Sequence, residues 1–192
     1  MGRSSHRPLG GDARRCDCRI DGRGGNGSCY GVAVSRVAEE ILRRAKAFGL
    51  KITCAESCTG GMISAALTDV VGSSAIFENG FVTYSNGAKQ KMLGVSHKTL
   101  ADYGAVSEPV AREMAEGALR QAQADLAISV SGIAGPGGSE FKPEGRVCFA
   151  LACAQGTQSE TQEFGALGRP AVRQAALDYA LNLIRAHLNS AH

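Results

Sequence analysis

The sequence predicts an α/β protein: a single three-layer α/β/α domain built on a mixed sheet. Two observations carry that expectation. Short apolar runs of strand length interleave with amphipathic stretches that repeat at i, i+3 and i+4. Late in the chain, Gly145 to Ala154 and Gln158 to Phe164 form two strand-like runs joined through Gln155-Gly156-Thr157. They add an antiparallel portion to the sheet.

The elements follow in order. Residues 34–48 read as a helix, with Val34, Val37, Ala38, Ile41, Leu42, Ala45 and Phe48 on one face. Glu39 with Arg43, and Glu40 with Arg44, are i, i+4 pairs in the favourable order, and Gly49 stops the helix. Leu50, Ile52 and Cys54 alternate with Lys51 and Thr53, the pattern of a half-buried strand. A small polar turn leads into an amphipathic segment from Met62 to Val71. Phe81 to Tyr84 is a second strand. Short helices follow at Ala88–Leu93 and His97–Tyr103, ended by Gly94 and Gly104. Ser107 caps a helix from 108 to about 122, with Pro109 in its first turn. Leu126, Ile128 and Val130 alternate with Ala127, Ser129 and Ser131 as a buried strand. A Gly-rich loop runs from Gly132 through Gly138. Pro170 opens the last helix, which reaches about Leu188.

Residues 1–31 stand apart. They hold six Arg, three Asp and eight of the 25 Gly, with almost no apolar residues. Such a segment cannot bury enough surface to offset its ordering entropy, so it is expected to be a disordered extension. The domain is expected over 32–192. There the chain carries 15 basic and 15 acidic residues. A neutral body offers no electrostatic footprint for nucleic acid. No apolar run approaches the roughly 20 residues that span a bilayer, so no membrane partner is expected. The seven Cys lack zinc-finger spacing, and those of the body are read as sitting inside apolar strand-like runs. That usage points to a reducing cytoplasm.

Chemistry concentrates in residues 50–61. Strand, small polar turn and helix succeed one another, and Ser57 lies in the turn. A helix N-terminus offers unpaired N–H groups, so Ser57 is placed like a nucleophile, with amides of Cys58, Thr59 and Gly60 near a developing oxyanion. The same run also reads as a helix cap followed by a Gly-rich packing contact. His is scarce in the body, where His97 reads as a surface residue. A Ser-His-Asp triad is therefore poorly supplied. Lys remains as a base, provided its pKa is lowered. Lys89 lies five residues after Tyr84, across a turn, close enough to converge with it; Lys89 also reads as a solvated helix charge. The loop containing Ser131, Gly132 and Gly135 fits a wrap around phosphate or ribose, or a flexible crossover. No phosphate-loop, G-x-S-x-G or H-E-x-x-H motif occurs.

Four segments add a resemblance. Ala55-Glu-Ser-Cys-Thr-Gly-Gly61, Gly80-Phe-Val-Thr-Tyr-Ser-Asn86 with Ala88-Lys89, Gly104-Ala-Val-Ser-Glu108, and Ile128-Ser-Val-Ser-Gly-Ile-Ala-Gly-Pro-Gly-Gly138 occur in that order. Together they resemble the CinA C-terminal domain family, the nicotinamide-nucleotide amidases in their stand-alone form, over about residues 33–189. The resemblance implies hydrolysis of nicotinamide mononucleotide to nicotinic acid mononucleotide and ammonia, without metal or other cofactor. It places the nucleophile on Ser57, assistance on Tyr84 and Lys89, and a phosphate contact on Arg169. A small-molecule nucleotide is then the partner, and a homodimer the expected assembly. The alternatives are a catalytically silent partner module for competence or DNA-damage responses, and an amidase that uses Cys58 instead of Ser57.

Overall fold

The computed structural model describes residues 29–139 and 141–190, with side chains from Arg36 onward. The expected disordered extension lies largely outside the described residues. Among the described residues there are six helices and five strands: α1 (Cys29–Phe48), β1 (Ile52–Glu56), α2 (Met62–Thr68), β2 (Phe81–Val82), α3 (Asn86–Leu93), α4 (His97–Tyr103), α5 (Glu108–Ala122), β3 (Leu126–Gly132), β4 (Arg146–Cys153), β5 (Gly156–Glu163) and α6 (Arg169–Ser190). A 3-10 turn occupies Ser73–Ala75.

The sheet runs β2-β1-β3-β4-β5. β2, β1 and β3 are parallel. β4 and β5 are antiparallel to their neighbours. The α/β class and mixed sheet expected from the sequence are therefore present. Two apolar clusters lie on opposite faces. One joins Ile41 and Ala45 of α1, Ile63 and Leu67 of α2, and Val172 to Leu188 of α6 to Ile52, Ile128, Phe149 and Leu151 of the sheet. The other joins α5, Leu93 of α3 and Leu100 of α4 to Ala55, Ala127, Ala150 and Ala152. β1, β3 and β4 thus send their larger side chains to one face and small ones to the other, so α5 packs close to the backbone of the sheet.

Several boundaries differ from expectation, for physical reasons. The helix expected from residue 34 begins at Cys29, because its backbone ladder extends past the apolar repeat that marks it in sequence. β1 is buried along its whole length rather than on one face. Helices cover both sides of it, and the Thr53 hydroxyl is satisfied inside by donating to the Asn79 carbonyl at 2.9 Å. α2 stops at Thr68 instead of Val71, which is 96% exposed and has no core to face. β2 ends at Val82 instead of Tyr84. The Thr83 amide still donates to the Glu56 carbonyl at 2.8 Å before the chain turns outward.

The close approach of α5 makes a glycine necessary. A Cβ on Gly117 would stand 2.0 Å from the Leu93 carbonyl oxygen at the end of α3. Gly117→Ala gains about 1 kcal/mol of helix propensity. The overlap forces α3 and α5 apart, at a cost of about 1–3 kcal/mol. Thermal unfolding is expected to show a net loss of stability for Gly117→Ala.

Candidate active site

β1 connects to β2 on one side and is flanked by β3 on the other. Crevices for ligands open at the carboxyl ends of strands where such connections diverge. Ser57 sits there, one residue past β1. Its amide donates to the Val130 carbonyl of β3 at 2.9 Å, which ties the turn after β1 to the sheet.

Glu56 builds the turn. Its carboxylate is fully buried and accepts from the amides of Gly61 at 3.0 Å, Ile63 at 3.1 Å and Ser64 at 2.9 Å, and from the Ser64 hydroxyl at 2.8 Å. These amides are orphan donors at the start of α2. Gly60 and Gly61 hold φ of 61° and 100°, the left-handed region that lets the chain double back within five residues. Glu56 was visible in sequence only as a carboxylate beside the turn. The reach-back of its side chain to the helix was missed, because it leaves from the strand rather than from the N-cap position.

Ser57 and Lys89 meet. Lys89 Nζ lies 3.0 Å from Ser57 Oγ and 2.7 Å from the Thr83 carbonyl oxygen, to both of which it donates. Lys89 is 1% exposed, so the solvated-charge reading of the sequence is set aside. Burial pushes its pKa down to about 8. A neutral amine can keep one N–H on Thr83 while its lone pair takes the Ser57 proton. α3 supplies this lysine. Ser85 caps that helix by accepting from the Ala88 amide, and the Lys89 amide donates to the Ser85 carbonyl.

Cys58 faces the apolar core and is 5% exposed. Burial pushes its thiol up to about 11, away from the thiolate that nucleophilic attack needs. Of the three expected oxyanion amides, that of Gly60 donates to the Ser57 carbonyl at 3.1 Å. Thr59 is fully buried. The amides of Cys58 and Thr59 both lie against the Cys58 sulfur, and that of Cys58 directly follows Ser57 in the chain.

Tyr84 does not converge with Lys89 as expected. It is 60% exposed, and its hydroxyl accepts from Arg169 Nη2 at 2.8 Å. Arg169 Nη1 also donates to the Gly135 carbonyl at 3.2 Å. The three residues are tied into one exposed rim. Gly135 holds φ of 86°, which side-chain-bearing residues rarely adopt. Glu144 accepts from the Gly137 and Gly168 amides, fastening the loop to the start of α6. The Ser131 hydroxyl donates to the Ala105 carbonyl at 2.7 Å, and a Cβ on Gly132 would stand 2.7 Å from Val147.

A family profile described as the CinA C-terminal domain matches residues 34–188. The chain belongs to this family. It is 54% identical over 150 residues to a protein of Escherichia coli K12 named nicotinamide-nucleotide amidohydrolase PncC, covering 78% of this chain and 91% of that relative. A longer CinA-like protein of Synechococcus is 47% identical over 162 residues, which cover 83% of this chain and 39% of the relative. Two solved family structures have the same fold. The competence/damage inducible protein CihA of Agrobacterium tumefaciens superposes with a TM-score of 0.78 at 43% identity, covering 82% of this chain and 96% of the other. The competence damage-inducible protein A of Klebsiella pneumoniae gives 0.79 at 39% identity, covering 82% and 98%. Among the described residues no helix is long and apolar enough to cross a membrane. Nor is there, among them, a group of three or more His, Cys, Asp and Glu able to hold a metal ion.

The turn depends on Glu56. Glu56→Ala strands three backbone amides, one of them on buried Ile63, at about 1–3 kcal/mol each. Urea unfolding is expected to show a loss of at least about 3 kcal/mol.

Proposed function

We propose that the chain is a nicotinamide-nucleotide amidohydrolase of the cytoplasm, acting as a homodimer. It converts nicotinamide mononucleotide to nicotinic acid mononucleotide and ammonia. The carrying observation is the buried contact of 3.0 Å between Lys89 Nζ and Ser57 Oγ. The name of the PncC relatives supports the substrate class.

Ser57 Oγ attacks the carboxamide carbon while neutral Lys89 takes its proton. The Cys58 amide faces the developing oxyanion. The tetrahedral intermediate then breaks its C–N bond, and Lys89 returns the proton to the leaving nitrogen, which departs as ammonia. Water attacks the acyl ester, gives a proton to Lys89, and releases the carboxylate with Ser57 restored. Tyr84 and Arg169 line the entrance, where the guanidinium offers further N–H groups to a phosphate.

Ammonia release from nicotinamide mononucleotide tests the reading. Wild type and Cys58→Ala are expected to release it, and Ser57→Ala to release none. A well-folded wild type without release would favour the silent partner module. Release by Ser57→Ala with none by Cys58→Ala would move the chemistry to the thiol. The pH profile follows from Lys89. Its folded pKa of about 8 leaves about one amine in ten neutral at pH 7. kcat/KM should therefore rise with pH and level off above about 8. Lys89→Arg should be as inactive as Lys89→Ala, since a guanidinium keeps its proton. Substantial activity in Lys89→Arg would demote Lys89 to a fixed charge.

Arg169 is expected to act on binding. Arg169→Ala should raise KM for the nucleotide about tenfold or more, with kcat changed far less. Steady-state kinetics check this, and a fall in kcat alone would remove the phosphate contact.

A further inference from the structure

One cation at the site has no part in the mechanism above. Arg173 lies one helical turn after Arg169, on the same face of α6. It reaches across to the nucleophile turn instead of the rim. Its Nε donates to the Cys58 carbonyl at 3.0 Å and its Nη2 to the Thr59 carbonyl at 2.8 Å. The guanidinium is partly buried, and a Cβ on Gly60 would stand 3.4 Å from Nη2. So α6, the last element of the chain, grips a turn more than a hundred residues earlier.

The geometry points to Arg173 as the positioning residue that holds the oxyanion donor of Ser57. The inference rests on the acyl-transfer reading of Ser57. A trans peptide sets its C=O and N–H in opposite directions, so fixing one fixes the other. Arg173 fixes the Thr59 carbonyl, and hence the Gly60 amide of the same peptide. That amide donates to the Ser57 carbonyl at 3.1 Å. The Ser57 carbonyl shares its peptide with the Cys58 amide, which is thereby aimed beside Oγ. The second contact, to the Cys58 carbonyl, fixes the peptide in between.

The turn has few ties of its own, the Gly60 amide on the Ser57 carbonyl at 3.1 Å and a longer one from the Met62 amide to the Thr59 carbonyl at 3.4 Å. Gly60 and Gly61 both sit at positive φ, where glycine also reaches the alternatives. Glu56 holds the turn only from Gly61 onward. Among the described residues, Arg173 supplies the side-chain contacts to the carbonyls of residues 58 and 59. Bidentate contact suits a planar guanidinium, and an ammonium cannot reproduce both bonds in one plane.

Two measurements test this. The first is steady-state ammonia release by Arg173→Ala and Arg173→Lys. We expect kcat to fall at least about tenfold in Arg173→Ala with KM within about twofold, since a misaimed oxyanion donor is felt in the transition state. Arg173→Lys should lie between, and added guanidinium ion should restore part of the kcat of Arg173→Ala. The second is the rate at which a fluorophosphonate labels Ser57. There Oγ bonds to phosphorus, fluoride leaves and Lys89 takes the proton, while the phosphoryl oxygen uses the same donor. This rate should also fall about tenfold in Arg173→Ala. It reads the clamp even if nicotinamide mononucleotide proves not to be the substrate, so a wild type silent towards that nucleotide but labelled on Ser57 tests the two readings separately. Unchanged kcat and labelling in a folded variant would overturn the inference. So would a rise in KM alone, which would make Arg173 a substrate ligand. If Arg173→Ala fails to fold, Arg173→Lys decides by the same two rates.

Discussion

A carboxylate buried in the sheet shapes the whole catalytic end. Taking Glu56 out of water costs several kcal/mol unless its oxygens are fully hydrogen-bonded. Among the described residues no cation pairs with it. The start of α2 does the work instead, with three amides and a hydroxyl converging on two oxygens. That requirement fixes the distance from β1 to α2. Only four residues, Ser57 to Gly60, lie between Glu56 and its first donor. They must form a tight outward loop, and left-handed glycines are what allow it. The helix dipole adds to the match, since its positive end faces the carboxylate.

The sheet brings the remaining parts to that loop. Parallel pairing of β2 with β1 carries Thr83 alongside Glu56, so the Thr83 carbonyl is at hand when α3 returns Lys89. β3 presents the Val130 carbonyl to the Ser57 amide on the other side. α5 lies close against the small face of the sheet, and the end of α3 rests on Gly117. The positions of Lys89 and Ser57 are therefore set by backbone contacts and core packing, not by the two side chains alone. The salt bridges, by contrast, lie away from this site on partly exposed side chains such as Arg146 with Glu163, and contribute little.

The sequence made the elements legible where periodicity and punctuation agreed. α4 ends at Gly104 and α5 starts after Ser107 with Pro109 in its first turn, as expected, although the Ser107 hydroxyl donates to the Gly104 carbonyl instead of capping the helix. Boundaries failed where only apolar spacing was available, as at the start of α1 and the end of α2. Ser57 stood out because a small polar turn between strand and helix has a chemical meaning. Lys89 was visible by resemblance but not by pattern, because a surface lysine and a buried one look alike in a short helix. Its burial comes from β2, α3 and the turn closing together, which no local window contains. Arg173 was invisible for the same reason. It reads as one more charge on α6, and its partners are backbone carbonyls more than a hundred residues away.

In the proposed mechanism, the choice of nucleophile follows from that shared burial. Desolvation disfavours whichever form of a group is charged. For Lys89 this favours the neutral amine, the form able to accept a proton. For Cys58, one residue from Ser57, it favours the neutral thiol, the form that attacks poorly. One apolar environment therefore makes the lysine a better base and the cysteine a worse nucleophile. A serine hydroxyl needs no resting charge, so the same environment leaves it unpenalised. It requires a base within hydrogen-bond reach at the moment of attack, and Lys89 Nζ stands 3.0 Å from its oxygen. In water a thiol would outrun a hydroxyl. Here the greater intrinsic reactivity of sulfur is set against a thiolate that the core does not stabilise, and geometry favours the hydroxyl beside the amine.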